Sequence, residues 1–121
     1  QEKFLKIIQE CKFLFVPNVS DASPRVVTQA LCYNMPVLMN RNIVGGWKYV
    51  NENTGEFFTD ENDISESLYK IVNNLNNYRP REWFVSRYGK KKAGERFLNF
   101  LKEHYTNVDF SDAKYATFKR L

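Results

Sequence analysis

Short apolar runs at three places along the chain predict β-strands. The run at residues 13–16 is unbroken and ends at Pro17, which is typical of a strand that a parallel sheet buries on both faces. The segments "PVLMN" at 36–40 and "EFFT" at 56–59 predict two further strands. Helical patterns separate these runs, so we expect an α/β fold with a small parallel sheet flanked by helices, half of a Rossmann-like domain, followed by a helical C-terminal segment.

The helices are predicted from apolar positions that recur at a spacing of three or four residues. Residues 2–11 carry such a stripe at Phe4, Ile8 and Cys11, and residues 24–34 form a second helix. The clearest helix covers 60–75, where Asp60 or Asn62 is expected to cap its start. Its apolar stripe is predicted at Ile64, Leu68, Ile71, Val72 and Leu75. A helical turn is predicted near Trp47 in the preceding loop, and the next helix is predicted to begin at Pro80. One side of the last helix carries Ala93, Phe97, Phe100, Leu101 and His104.

Length and composition fit one domain with an ordinary globular core. The 121 residues are 43% hydrophobic and 26% charged. We expect an α/β core at 1–78, C-terminal helices at 79–105 and a tail at 106–121, which is a candidate for docking on another domain or chain. No apolar run approaches the roughly 18 residues of a membrane span, and the first residue, Gln1, indicates a processed chain or a piece of a longer one.

Cysteine and histidine usage gives no sign of a metal site. Cys11 and Cys32 both lie in apolar segments without a CxxC pair, and His104 is the single histidine. We therefore expect two buried, reduced thiols, a histidine on a helix face and a reducing, cytoplasmic location.

The net charge of +4 is concentrated in one stretch, residues 79–103, which carries a net +5. A patch of this kind is compatible with nucleic acid, an anionic membrane surface or an acidic partner, and equally with a solvated helix face. Nucleic acid ranks last, because helix packing also explains the aromatic residues that interleave with arginine there.

The segment "SDASPRVVTQALCYNMPV" (20–37) is predicted to join the first strand to its helix. Ligands of parallel sheets bind at the carboxyl ends of strands. We expect Ser23 to be the N-cap and Pro24 the first helical residue, so the open N–H groups of the first turn, beside Arg25, would attract an anion such as a diphosphate. A plain capped helix has the same sequence pattern.

The order of motifs resembles the donor-binding half of retaining GT-B glycosyltransferases of the family-four kind. Those enzymes show a strand, an acid in a small turn, a helix with a second acid eight residues on, a Pro-Val strand, a Gly-Gly loop, a Gly-led strand and an acidic helix. The resemblance covers roughly residues 10–75 and rests on Pro17, Asp21, Gln29, "NMPVLMN", Gly45-Gly46, "TGEFFT" and "DENDI".

The resemblance implies a role for each matched position. Asp21 would be the catalytic-site acid that contacts the donor sugar, and Gln29 would bind the ribose. Gly45 and Gly46 would form the loop that closes over the donor. The turn whose backbone amides hold the diphosphate would be Ala22, Ser23, Pro24, Arg25 and Val26. Trp47 and Tyr49 follow the glycines and are candidates for stacking on a base or sugar.

The implied function is transfer of a hexose from a UDP- or GDP-sugar to an acceptor hydroxyl with retention, without a metal or other cofactor. Family members carry Glu where this chain has Asp21 and Gln29, and they have an N-terminal acceptor-binding domain that this sequence lacks. We therefore expect activity only as part of a longer chain or with a partner chain. The alternative is a catalytically inactive module that serves as a structural or interaction subunit.

Overall fold

The structure is a computed structural model that describes residues 2–114 and 116. The chain divides into two compact units, one extending to Phe84 and one starting at Val85. Among the described helices, none has the length and apolar character that crossing a membrane requires.

Three parallel strands form the sheet of the first unit. They are β1 (Leu14–Val16), β2 (Val37–Asn40) and β3 (Gly55–Phe58), in the spatial order β1-β2-β3. Val37 lies opposite Leu14 on one side and Gly55 on the other. The α/β class with a small parallel sheet is therefore confirmed, and all three strands fall where the apolar runs predicted them.

The central strand explains the two-sided core. Val37 and Met39 belong to one apolar cluster, while Leu38, on the opposite face of the pleat, packs with Phe58 and Ile71 in a second. β1 differs from the prediction of burial on both faces, because it lies at the sheet edge and Phe15 remains 45% exposed.

Three α-helices accompany the sheet: α1 (Glu2–Glu10), α2 (Arg25–Cys32) and α3 (Ile64–Asn73). α1 ends one residue before the predicted residue 11, and within it Phe4 is exposed while Ile8 is buried. α2 ends before the predicted residue 34, because Asn34 adopts a left-handed φ of 59° that a continuing helix excludes.

The predicted stripe of α3 is only partly correct. Ile71 is fully buried, whereas Leu68 and Val72 are 41% and 48% exposed. Neither Asp60 nor Asn62 is the N-cap residue, which is Asp63. The Asp63 carboxylate accepts the N–H groups of Thr59 and Asp60 in the preceding turn instead of those of the helix. The conformation of that turn therefore fixes where α3 begins.

The loop between β2 and β3 contains the helical turn that the sequence predicts near Trp47, a 3-10 turn at Trp47–Tyr49. Thr54, which is fully buried, fixes the end of this loop. Its hydroxyl donates to the carbonyl of Tyr49 at 2.7 Å and accepts the N–H of Asn51 at 2.9 Å. The loop is thereby tied to the start of β3.

The helical C-terminal segment is also confirmed. After a 3-10 turn at Leu75–Asn77, α4 (Pro80–Tyr88) begins at the predicted proline, and α5 (Lys90–His104) follows Gly89. In the second unit Leu98 is buried, and the N–H of Ala116 donates to the carbonyl of Gly94 at 3.0 Å. The aromatic tail prediction falls partly on residues 115 and 117–121, outside the described residues.

Both cysteines differ from the prediction of buried thiols. Cys11 and Cys32 are free and exposed. Cys11 follows the end of α1, and Cys32 is the last residue of α2, whose buried face carries Val27, Ala30 and Leu31. An apolar neighbourhood in sequence does not bury a residue at the end of a short helix.

Candidate functional site

The predicted turn between β1 and α2 is held by its own acid. Oδ1 of Asp21 accepts the N–H of Ser23 at 2.9 Å, an Asx-type turn. The expected cap is wrong: Pro24 occupies the N-cap position with φ −67° and ψ 99°, and α2 begins at Arg25 without a side-chain cap. Because Pro24 occupies the N-cap position, the Ser23 hydroxyl lies one residue too early in the chain to cap α2.

The opening of α2 retains backbone donors. The N–H of Val27 is bonded to the carbonyl of Pro24 at 3.1 Å, while Arg25 and Val26 are the first two helical N–H groups, which have no acceptor inside the helix. Arg25 is exposed at this end, and Val26 is half-buried against the first apolar cluster. This end of the helix therefore offers a positive potential and two donors.

The Gly-Gly loop lies directly on this turn. The N–H of Gly45 donates to the carbonyl of Asp21 at 3.1 Å, and the N–H of Val44 donates to the carbonyl of Val19 at 2.9 Å. A Cβ on Gly45 would fall 1.9 Å from the carbonyl oxygen of Ala22. Glycine is required here because the two backbones touch.

Gly46 continues the same contact. Its φ of +82° is left-handed, and a Cβ there would meet the ring of Pro24 at 2.6 Å. At the base of the two loops, Nδ2 of Asn40 at the end of β2 lies 3.5 Å from the carbonyl of Pro17, just past the end of β1. The predicted residues Asp21, Ala22, Pro24, Gly45 and Gly46 are thus brought together at the carboxyl ends of neighbouring parallel strands.

Gln29 lies farther along α2 than the residues of the turn. It lies on the second turn of α2, and its side chain is exposed and makes no hydrogen bond to the described residues. Of the two aromatic candidates, Tyr49 packs edge-on against Phe84 at 5.8 Å between ring centroids. Trp47 is 58% exposed beside Gly46 and keeps a face that a planar ligand group could cover.

A second group of polar residues escaped the prediction. Oε1 of Glu56 accepts the hydroxyl of Tyr78 at 2.7 Å, and Oε2 pairs with the ammonium of Lys70 at 2.9 Å. Burial, then the hydrogen bond and negative charge of Glu56, raise the pKa of Tyr78 above its ordinary value. The only signal in the sequence was a charged residue, Glu56, inside an otherwise apolar strand.

These residues belong to a cavity of about 580 Å³ along β3, and none of the predicted site residues lines it. Among the described residues, no group of three or more His, Cys, Asp and Glu side chains is arranged to hold a metal ion. His104 is exposed at the end of α5, stacked on Phe100 with ring centroids 4.2 Å apart.

The chain matches no protein-family model, and no curated protein or solved structure matches it.

Proposed function

We propose that this chain binds the nucleotide diphosphate of a sugar donor, as the donor-binding part of a retaining glycosyltransferase that transfers a hexose to an acceptor hydroxyl. One observation carries the proposal: the Asp21–Pro24 turn and the Gly45–Gly46 loop touch at the carboxyl ends of adjacent parallel strands. That edge is where open α/β sheets bind their ligands.

The turn provides groups of the right sign for a diphosphate. The first N–H groups of α2 and the guanidinium of Arg25 lie at the same end of the helix, where the dipole favours an anion. In the transfer step the leaving diphosphate gains negative charge, and these fixed donors would stabilise it. The proposed role of Arg25 is therefore electrostatic. Its attraction to the diphosphate outweighs the slight cost in helix stability of a cation at the helix start.

Asp21 supplies the proposed contact to the sugar. One of its carboxylate oxygens already holds the N–H of Ser23, which fixes the side chain in place, and the other oxygen is available to accept a sugar hydroxyl. Trp47 would cover the base or the sugar from the loop side. Gln29 would donate to or accept from a ribose hydroxyl with less strength than a charged carboxylate.

A second candidate function is a module of the same fold without catalysis. The observation that favours it is Gln29, whose side chain is neutral, exposed and makes no hydrogen bond to the described residues. Such a module would serve as a structural or interaction subunit and would keep the contact between the two loops for stability alone.

Calorimetric titration of the chain with UDP, GDP and their sugars distinguishes the two functions. The enzyme proposal predicts saturable binding that Arg25→Gln weakens by about tenfold or more, since a hydrogen bond to a charged group is worth about 1.5–3 kcal/mol. Arg41→Gln is the matched control, because that arginine lies at the β3 cavity. Absence of binding at millimolar ligand, in this chain and in any longer native form, would leave the module as the function.

A further inference from the structure

The outer edge of β3 borders the cavity: Gly55 is buried as a residue and Phe57 half-buried, yet both line that space. The carbonyls of Thr54 and Phe58 accept N–H groups from Val37 and Arg41, at 2.9 and 2.8 Å, and so face β2. Because alternate residues of a strand direct their backbone groups to opposite sides, Gly55 and Phe57 face away from the sheet.

Two of the four outward groups are already bonded. The N–H of Gly55 donates to the carbonyl of Asn51 at 3.0 Å, and the hydroxyl of Ser67 donates to the carbonyl of Phe57 at 2.8 Å. The carbonyl of Gly55 and the N–H of Phe57 have no hydrogen-bond partner among the described residues. One acceptor and one donor therefore flank Glu56 on the same edge, which is the pair that an added strand uses.

The space beside this edge carries a net negative charge. The cavity of about 580 Å³ is lined by Gly55 and Phe57 together with four carboxylates and two cations. Lys70 neutralises the carboxylate of Glu56 at 2.9 Å. The other charged residues that line the cavity are one cation, Arg41, and three acids, Glu52, Asp63 and Glu66.

We propose that β3 is a docking edge for an extended, lysine- or arginine-bearing segment of a partner protein, which adds a strand to the sheet. The segment would bond to the Gly55 carbonyl and the Phe57 N–H and would place its cations among the lining carboxylates. A second copy of this chain would satisfy the same two groups, but it would set Glu56 opposite Glu56 and bring the acids together, which is unfavourable. Charge thus selects a basic partner.

The test is an amide-resolved NMR titration of the whole chain with a capped peptide of alternating Lys and Thr. We expect saturable shifts centred on Phe57, and roughly tenfold slower hydrogen exchange of its amide at saturation. The matched peptide of alternating Glu and Thr should leave Phe57 unchanged. Glu66→Gln should weaken binding about two- to fivefold, while Glu61→Gln, outside the cavity lining, should not.

Three results would overturn the proposal. Equal binding of the acidic peptide would remove the role of charge. Shifts that spare Phe57, or no shifts at all, would remove the role of the edge. Concentration-dependent shifts of Phe57 without peptide would identify the occupant as a second copy of the chain.

Discussion

Gly45→Ala is the substitution that most directly tests the contact between the two loops. The new Cβ would lie 1.9, 2.5 and 2.9 Å from the oxygen, carbon and Cα of Ala22, and all three are backbone atoms. No rotamer change relieves such a clash. To reach an ordinary contact of 3.4 Å, the loop must move by about 1.5 Å.

The loss of stability in Gly45→Ala comes from the backbone hydrogen bonds that this movement of the loop weakens. The movement strains the bond from Gly45 to the Asp21 carbonyl and the neighbouring bond from Val44 to the Val19 carbonyl. Forced overpacking costs about 1–3 kcal/mol, and the lower entropy of the unfolded chain returns about 0.4–1 kcal/mol. We expect a net loss of about 1–2 kcal/mol in the free energy of unfolding.

Urea denaturation followed by tryptophan fluorescence measures this loss, because Trp47 and Trp83 both lie in the first unit. With a slope of about 1–3 kcal/mol per molar urea, the midpoint should fall by roughly 0.5–1 M. Val44→Ala, at a side chain that is 67% exposed, is the control and should leave the midpoint unchanged. Ala22→Gly should not rescue Gly45→Ala. An unchanged midpoint in Gly45→Ala would refute the backbone contact.

Three further outcomes are expected. Backbone N–H groups of the preceding turn lower the pKa of Asp63 below its ordinary 3.8. The stabilisation is therefore present above pH 3.8 and is lost as the pH falls through the lowered pKa. Asp63→Asn should make the thermal midpoint less dependent on pH in that acid range. Native chain should react rapidly with an aromatic disulfide reagent at both Cys11 and Cys32, and a thiol that reacts only after unfolding would contradict its exposure. Ultraviolet titration should reveal a tyrosine that ionises well above pH 10, and Tyr78→Phe should remove this ionisation step. If the step persists in the variant, the raised pKa belongs to another tyrosine.

The sheet was predictable because its signal is local. The run Val37–Met39 is apolar at every position, and only a central strand buries both faces in this way. The same pattern misled at Phe15, since the sequence does not state which strand lies at the edge. Cap residues were missed for a related reason: Asp63 and Pro24 acquire their positions from the path of the preceding turn.

The candidate site was only half accessible from sequence. The resemblance to a glycosyltransferase motif order singled out Asp21, Gly45 and Gly46, and the structure brings these three together. The Glu56–Tyr78 bond joins residues 22 positions apart through tertiary packing. The charged residue in an apolar strand marks Glu56, but no local pattern identifies Tyr78 as its partner. Long-range pairs of polar groups require the fold before they can be found.

An amide-resolved NMR titration of the chain with UDP and with GDP would show whether the diphosphate binds where the two loops meet. For at least one of the two nucleotides, we expect the largest saturable shifts at Ala22, Arg25, Val26, Gly45 and Gly46. Saturable shifts confined to the β3 cavity, or no shifts at millimolar nucleotide, would contradict a donor site at the meeting of the two loops.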